Sequence, residues 1–471
     1  MSGFERNRRD FLKSAVWATL GAATAGCQGV RLGFGEGGSM AGFRTAPMEK
    51  IRVGIVGCGG RGSGGAKRFR QFGCVEVTAL CDLKQGQIDS CQKILVEKGR
   101  AKAKEFLGPE AYRALCESGL CDVVYNTTPI DVHLPVARQA MLSGLHVLTE
   151  VEMTPSLAGN LELVELAEKT RRHCMMLENC CYGEDELLMF NLERYGLLGD
   201  VMHGEAGYIH DCRSLRYPAA GEADDPWRRA EILDRKRMPG NAYPTHGLGP
   251  LAQAMNINRG DRFDHLVSMS ARGVALRAYA EERFGKDSKY AREKFFSTDM
   301  NTTLIRTVKG NTIMLQNDED TPRVYTRMNL LQGTKGIVRT YPLRIAYGSR
   351  VQDHFSEFFK ADKIEEVKAK YGSQIWKKLG DYAKTQGHGG MDFMMDARWI
   401  YCLHMGLPLD IDVYDSATWS VLAGLTEESV NNRSAPVEIP DFTHGSWKTA
   451  KPLGVLDIDV DTLDLLPGNR V

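Results

Sequence analysis

The chain has no surplus charge of either sign: 60 Lys and Arg stand against 60 Asp and Glu among 471 residues, a formal net charge of +0. That balance gives no reason to expect a nucleic acid or a polybasic membrane contact. Long apolar runs are missing too. The hydrophobic segment near the N-terminus, Ala15 to Ala25, is too short and too rich in Ala, Gly and Thr to span a bilayer. The 12 cysteines show no zinc spacing, Cys180 and Cys181 being adjacent, so no metal centre is expected. No internal repeat is present, and the only low-complexity stretch is a Gly-rich leader. What is there, 43% apolar residues over this length, suffices to bury two cores.

An address precedes the folded part. Arg8-Arg9-Asp10-Phe11-Leu12-Lys13 ahead of the short apolar segment reads as a twin-arginine export signal over residues 1–27, followed by a flexible leader over residues 28–49. The expected location is the periplasm, reached already folded with the twin-arginine machinery as partner. Cys27, in Thr24-Ala25-Gly26-Cys27, is a candidate for lipidation, although the usual Leu is missing from that box. Cys81, Cys121 and Cys174 sit in expected strands, where a free thiol behaves as a small hydrophobe. A chain that folds before export starts with reduced thiols, so no obligatory disulfide framework is expected.

The first chemistry-bearing motif is Gly57-Cys58-Gly59-Gly60-Arg61-Gly62, directly after the apolar run Ile51 to Val56 and at the start of a helical stretch. Glycines there let backbone N–H groups approach a pyrophosphate at a helix N-terminus, and Arg61 adds a cation. A second run, Val75 to Cys81, ends on Asp82, a carboxylate placed to accept from a ribose diol. With no basic residue directly after it, Asp82 favours NAD over NADP, an argument that Lys84 leaves open. Strand and helix keep alternating through Asp122–Asn126, a helix to Leu142, His146–Thr149, a helix capped by Ser156, and Cys174–Leu177. The expectation is a doubly wound parallel Rossmann sheet over residues 50–180, with Gly57, Asp82, Thr127, Glu150 and Asn179 on one rim.

Beyond Cys181 hairpins dominate. Lys309-Gly310-Asn311 joins two alternating runs, and Tyr325–Leu331 is expected to pair with Gly336–Thr340; helices follow from Met391 to His404 and from a cap at Asp415. Residues 181–471 are therefore expected as a substrate-binding α+β domain with a largely antiparallel sheet and a C-terminal tail.

Several longer motifs in order carry a family resemblance: Glu150-Val151, Leu177-Glu178-Asn179, Gly207-Tyr208 with His210-Asp211, Trp227-Arg228, Tyr243-Pro244-Thr245-His246-Gly247, Gly387-His388-Gly389-Gly390-Met391-Asp392 and Val437-Glu438-Ile439-Pro440-Asp441-Phe442. In these the chain resembles the Gfo/Idh/MocA oxidoreductase superfamily and, within it, glycoside hydrolase family 109, the NAD-dependent α-N-acetylgalactosaminidases. The superfamily's dehydrogenases carry Glu-Lys-Pro after the fifth strand; here Val151 replaces the lysine, which disfavours plain alcohol oxidation.

The resemblance implies hydrolysis with no net oxidation: NAD takes hydride from sugar C3, the acidified C2–H is removed, the glycosidic oxygen leaves, water adds and the hydride returns. It assigns to NAD Gly57, Gly59, Gly60, Arg61, Gly62, Asp82, Ile130, Asp131, Val132, His133, Glu150, Val151 and Asn179, with Tyr243 and Tyr325 near the nicotinamide. The sugar, a terminal N-acetylgalactosamine of a glycan, falls to Tyr208, Arg228, Tyr243, Pro244, Thr245, His246 and Tyr325. His246 is the candidate for proton transfer at the 3-hydroxyl, histidine being able to take or give a proton near neutral pH. Tyr208 is the candidate at C2, with Glu178 second. His388 either caps the helix from Met391 or touches substrate, and the segment between Tyr208 and Arg228 is shorter than in the family, which bears on leaving-group recognition. A homo-oligomer is expected. Two other readings stay open: an exported NAD(P)-dependent sugar dehydrogenase of the same superfamily, and a non-catalytic sugar-binding protein.

Overall fold

The computed structural model describes residues 37–218, 239–294, 297–351, 354 and 356–466. The twin-arginine segment, Cys27 and Arg228 lie outside the described residues.

Six strands, β1 (Ile51–Val56), β2 (Val75–Asp82), β3 (Lys104–Leu107), β4 (Val123–Asn126), β5 (His146–Thr149) and β6 (Cys174–Met176), form one parallel sheet in the order β3-β2-β1-β4-β5-β6. β4 and β5 are buried at every residue and β1 at all but Arg52, as strands must be when helices cover both faces of a sheet. The crossover helices include Gly60–Phe69, Ile130–Leu142 and Leu157–Thr170, the last capped by Ser156, whose Oγ accepts from the Gly159 N–H at 3.0 Å. Strand order reverses between β1 and β4. A ligand crevice opens there, at the carboxyl ends.

The second sheet has eight strands: β7 (Val201–Ile209), β8 (Phe263–Ser270), β9 (Asn301–Thr307), β10 (Thr312–Asp318), β11 (Leu330–Gly333), β12 (Gly336–Arg339), β13 (Arg344–Tyr347) and β14 (Val437–Glu438). Their order is β13-β12-β11-β7-β10-β9-β8-β14, antiparallel throughout except for the parallel pair β7/β10. The fold class expected from the sequence is thus the one observed. The β9/β10 hairpin turns at Gly310, whose φ is +91°. The next hairpin is shorter than expected: regular pairing starts only at Leu330, because Met328 turns to a φ of +58° after Thr326 makes a lone bridge to Ile209.

Three local expectations change. The cap of the helix Val413–Ser420 is Asp412, not Asp415; Asp412 accepts from the amides of Tyr414 and Asp415 while the Asp415 carboxylate accepts from the Asp412 N–H, a reciprocal capping box. Cys121 is buried just ahead of β4 rather than inside a strand. From residue 37 onward the leader is docked rather than loose. Met40 is 2% exposed and donates its N–H to Tyr414 Oη at 2.9 Å, while Arg171 lies 4.4 Å from the centroid of the Phe43 ring and donates to the carbonyls of Gly38 and Ser39. Single anchors such as Met40 and Phe43 leave no periodic trace in a Gly-rich stretch.

One hydrophobic cluster runs through both sheets and the helices between them. The helix Thr245–Ala254, buried at every residue, lies so close on β7 that a Cβ at Gly247 would collide with the backbone of Gly207. This approach brings His246 to Tyr208. The eleven described cysteines are free and buried.

Candidate active site

A cavity of about 790 Å³ opens at the carboxyl ends of β1, β2, β4 and β5. Gly57 turns there with a φ of +91°, and a Cβ on Gly62 would strike the Gly57 carbonyl, so the helix Gly60–Phe69 can seat on the loop only with glycine at that position. Gly59 and Gly60 face open space within 4 Å, leaving the backbone at the helix N-terminus bare to a ligand. Asp82 lies on the wall, its carboxylate held by the N–H groups of Cys58 (2.7 Å) and Lys84 (2.9 Å). These features fit a dinucleotide: bare amides and a positive helix end for the pyrophosphate, a fixed carboxylate for a ribose diol.

The other residues expected around the cofactor divide. Ile130, Val132, His133, Glu150, Val151 and Tyr243 line this cavity. Asp131 is exposed on the first turn of its helix, outside the lining. His133 places its ring nitrogens 2.8 Å from the carbonyls of Glu152 and Thr128, so it also ties together the two loops of the wall. Arg61 lines the cavity without being a free cation. Its Nε sits 3.3 Å from Glu150 and its Nη1 3.0 Å from Asp392, which joins the sheet rim to the Gly387–Asp392 loop. Burial opposes ionisation of Asp392, yet His388, Arg61 and Arg68 together hold its carboxyl far below the usual range. Asn179 donates to Asp392 at 2.6 Å and lines a different cavity.

That second cavity, about 700 Å³, is walled by side chains. Tyr208, His246 and Tyr325, all expected on substrate, meet there: the Tyr208 ring lies 5.3 Å from that of His246 and 6.1 Å from that of Tyr325. Tyr243, on the wall of the first cavity, places its Oη 3.4 Å from His246 Nε2, so this contact is where the two cavities meet. Pro244 and Thr245 line neither; they form the turn that aims Tyr243 and His246, with Thr245 Oγ1 donating to buried Glu152 at 3.0 Å. Tyr325 lines only the second cavity, its phenol pushed up to about 12 by burial and its Oη accepting from Arg327 at 2.7 Å.

Glu178, the second candidate at C2, lines neither cavity. It is 0% exposed beneath His246, its carboxylate 2.8 Å from Nδ1. Burial raises its carboxyl, but His246 and the hydrogen bonds from His246, Thr245 and the Cys180 N–H bring it below the usual range. The carboxylate fixes the proton on Nδ1 and leaves Nε2 as the working atom beside the cavity, the arrangement of an oriented general base. Cys180 brings a third donor atom within 4.8 Å of this pair, a set that could hold an ion, although the carboxylate and imidazole are already bonded to each other. His388 lines the cavity and faces Asp392 at 3.2 Å, while the helix from Met391 has no side-chain cap.

Sequence reasoning missed the Arg327–Glu186 pair, joined at 2.7 Å with side chains 4% and 3% exposed, which braces Tyr325 from behind. The one local signal was Arg327 standing two residues after Tyr325, and Glu186 is 141 positions away. Arg228, expected on the sugar, lies outside the described residues.

Residues 51–178 match the family model for oxidoreductases with an NAD-binding Rossmann fold, and residues 182–449 match the glycosyl hydrolase 109 C-terminal domain. A glycosyl hydrolase family 109 protein of Shewanella amazonensis is 42% identical over 97% of this chain and 100% of its own length. The chain belongs to glycosyl hydrolase family 109. Another member, the alpha-N-acetylgalactosaminidase of Shewanella oneidensis, is 41% identical over 96% of this chain and 99% of its own. Among solved structures, levoglucosan dehydrogenase in complex with NADH and levoglucosan matches with a TM-score of 0.60 at 13% identity, and an NAD-binding oxidoreductase of Klebsiella pneumoniae with 0.61 at 14%, each covering 83% of this chain. At such identity they show the shared fold alone. The motif resemblance to family 109 is borne out, and the family enzyme carries Val151 on the wall of its nucleotide cavity.

Proposed function

We propose that the enzyme hydrolyses terminal α-N-acetylgalactosamine from a glycan, with NAD as a cofactor that is reduced and reoxidised within one turnover. The observation that carries the reading is the Tyr243–His246 contact, which joins a dinucleotide cavity to a side-chain cavity in a family 109 chain. When bound, NAD supplies reversible hydride acceptance at a ring carbon, which acidifies the neighbouring C–H. Gly57, Gly59 and Gly60 would receive the pyrophosphate and Asp82 the ribose, where its carboxylate also repels a 2′-phosphate, while Gly62 lets the helix seat on the Gly57 loop. His246 Nε2 takes the proton of the 3-hydroxyl, and Glu178 stabilises the imidazolium and returns it to the neutral tautomer afterwards. Tyr208 stands on the same wall for proton transfer at C2. No pair of carboxylates flanking the bond is required on this route, unlike direct displacement.

The deciding experiment incubates purified protein with aryl α- and β-hexosaminides and reads released phenol together with absorbance of reduced cofactor. Phenol release from the α-N-acetylgalactosaminide without net reduction is the expected result. Stoichiometric accumulation of reduced NAD would mean a dehydrogenase, and no turnover a binding protein.

Export in folded form to the periplasm by the twin-arginine route, with Cys27 as the candidate lipidation site, belongs to the same proposal. Arg8-Arg9 and the free, buried state of the described cysteines support it. Self-association fits the outer face of the second sheet, where Met269 and Leu304 are 66% and 51% exposed. Cell fractionation and sedimentation test these points.

A further inference from the structure

His210 has no assigned part in the reaction, yet it holds the shortest polar contact that Tyr208 makes. Tyr208 is the penultimate residue of β7 and His210 the residue just past it, still bonded to the neighbouring strand, so the two side chains, two positions apart, leave on one side. Tyr208 Oη lies 2.7 Å from His210 Nδ1, and both side chains line the second cavity. The His210 backbone is pinned, its N–H donating to the Asp318 carbonyl at 2.8 Å on the neighbouring parallel strand. Its ring stands edge-on to Tyr325 at 5.0 Å.

Tyr208 alone makes a poor base. Burial first, then the nearby Glu319 carboxylate, pushes its phenol far above the ordinary value, so a free phenolate does not form there at neutral pH. Burial likewise lowers His210, against Glu319 and Asp211 and together with His246 and Arg216, which leaves a neutral imidazole with a lone pair for the phenol. In the neutral tautomer that carries its proton on Nε2, the phenol donates and Nδ1 accepts, and this is the tautomer the relay uses.

Resting on the functional reading above, we propose that His210 is the terminal proton acceptor of a Tyr208–His210 relay serving the sugar C2–H. As the C2–H bond breaks, its proton forms a new bond to Tyr208 Oη while the phenol's own proton passes to His210 Nδ1. The electron pair stays on the sugar and expels the glycosidic oxygen, which leaves as an alkoxide and takes a proton from water. Tyr208 is neutral before and after, and the positive charge rests on His210. His210 is half-buried rather than enclosed, so its proton exchanges with solvent; run backwards, the relay delivers a solvent-derived proton to C2 when water adds. Because His210 acts through Tyr208, it is a positioning and relay residue rather than one that touches the reacting carbon.

The test uses NAD-loaded enzyme in heavy water with free N-acetylgalactosamine and with its p-nitrophenyl α-glycoside. His210→Asn keeps an acceptor for the phenol but cannot take the proton. It is expected to lose about 10²-fold or more in C2 deuterium incorporation and in kcat, with KM changed by less than about threefold and single-turnover cofactor reduction retained. In His210→Ala, added imidazole is expected to restore exchange, a rescue that a structural role would not give. Exchange in His210→Asn within about threefold of the parent overturns the relay and leaves the functional reading standing. So does a His210→Ala enzyme that holds NAD but gains nothing from imidazole. Hydrolysis by the parent without any C2 exchange overturns the functional reading, and the relay with it.

Discussion

The nucleotide cavity draws its wall from the loops that follow β1, β2, β3, β4 and β5, residues 56 to 151, with Tyr243 as the one outsider among the described residues. The side-chain cavity, proposed above for the sugar, is assembled from residues between Asn179 and Met391, contributed mainly by the rim after β6, the end of β7, the helix at Thr245, the segment before β11 and the loop at His388, with Tyr341, Lys368 and Trp376 completing it. The first site is mostly backbone shape. The second depends on buried partners: Glu178 under His246, Glu186 behind Arg327 and Asp392 against Asn179. A backbone site is damaged by filling it, whereas a side-chain site is damaged by removing a partner that touches no ligand.

His246→Ala should break the sugar side most severely. A loss of about 10²–10⁴ in kcat is expected, with KM little changed, because the proton transfer proposed for His246 would be realised in the transition state. Nucleotide released on denaturing the purified variant should equal that of the parent; loss of NAD as well would mean that the two cavities are one unit.

Next in size is Arg327→Met. Removing one member of a buried pair leaves Glu186 charged and alone, at a cost of about 3–5 kcal/mol in denaturant unfolding. Replacing both members with apolar residues should recover much of that loss while activity stays low, since Tyr325 has lost its brace. If Arg327→Met unfolds like the parent, the sugar cavity is not held up from behind.

Asp82→Ala acts on the backbone site and should be milder. Weaker NAD binding by about tenfold to a hundredfold is expected from the lost charge-assisted hydrogen bonds, measured by titration, with activity returning at excess NAD. Activity that excess NAD fails to restore would remove Asp82 from ground-state cofactor binding.

The smallest expected effect on activity lies at the opposite ends of the same strands. His146 starts β5, and its Nδ1 accepts the N–H of His173, the residue just ahead of β6, at 3.0 Å. Burial brings His146 down to about 4 and His173 to about 3, assisted by Arg172 for the former and by His146 and Arg171 for the latter. Both folded values lie below 6.5, so the unfolded chain takes up more protons and stability falls as pH drops from 6.5 towards 4. A loss of about 2 kcal/mol per histidine between pH 7 and pH 5 is expected, and His173→Phe should remove about half of the total without altering kcat at pH 7. A variant with altered kcat would show that the two ends of the sheet are coupled.

By itself the sequence determined the strand and helix alternation, the Gly57–Gly62 loop, the carboxylate of Asp82 and membership of family 109. Each of these is set by consecutive residues: a pleat, a turn and a bare helix end are properties of the backbone within a few positions. Ser156 and the Gly310 turn were legible for the same reason. The Asp412 cap was missed although local, because Asp412 and Asp415 both suit a cap and only the reciprocal bonding separates them. Only the tertiary structure decided that Arg61 clamps Asp392 across 331 positions, that Glu178 supports His246 across 68, and that a Gly-rich leader docks on Tyr414. Such contacts follow from how closely one helix can lie on one strand and which side chains then face each other, and no spacing along the chain encodes that.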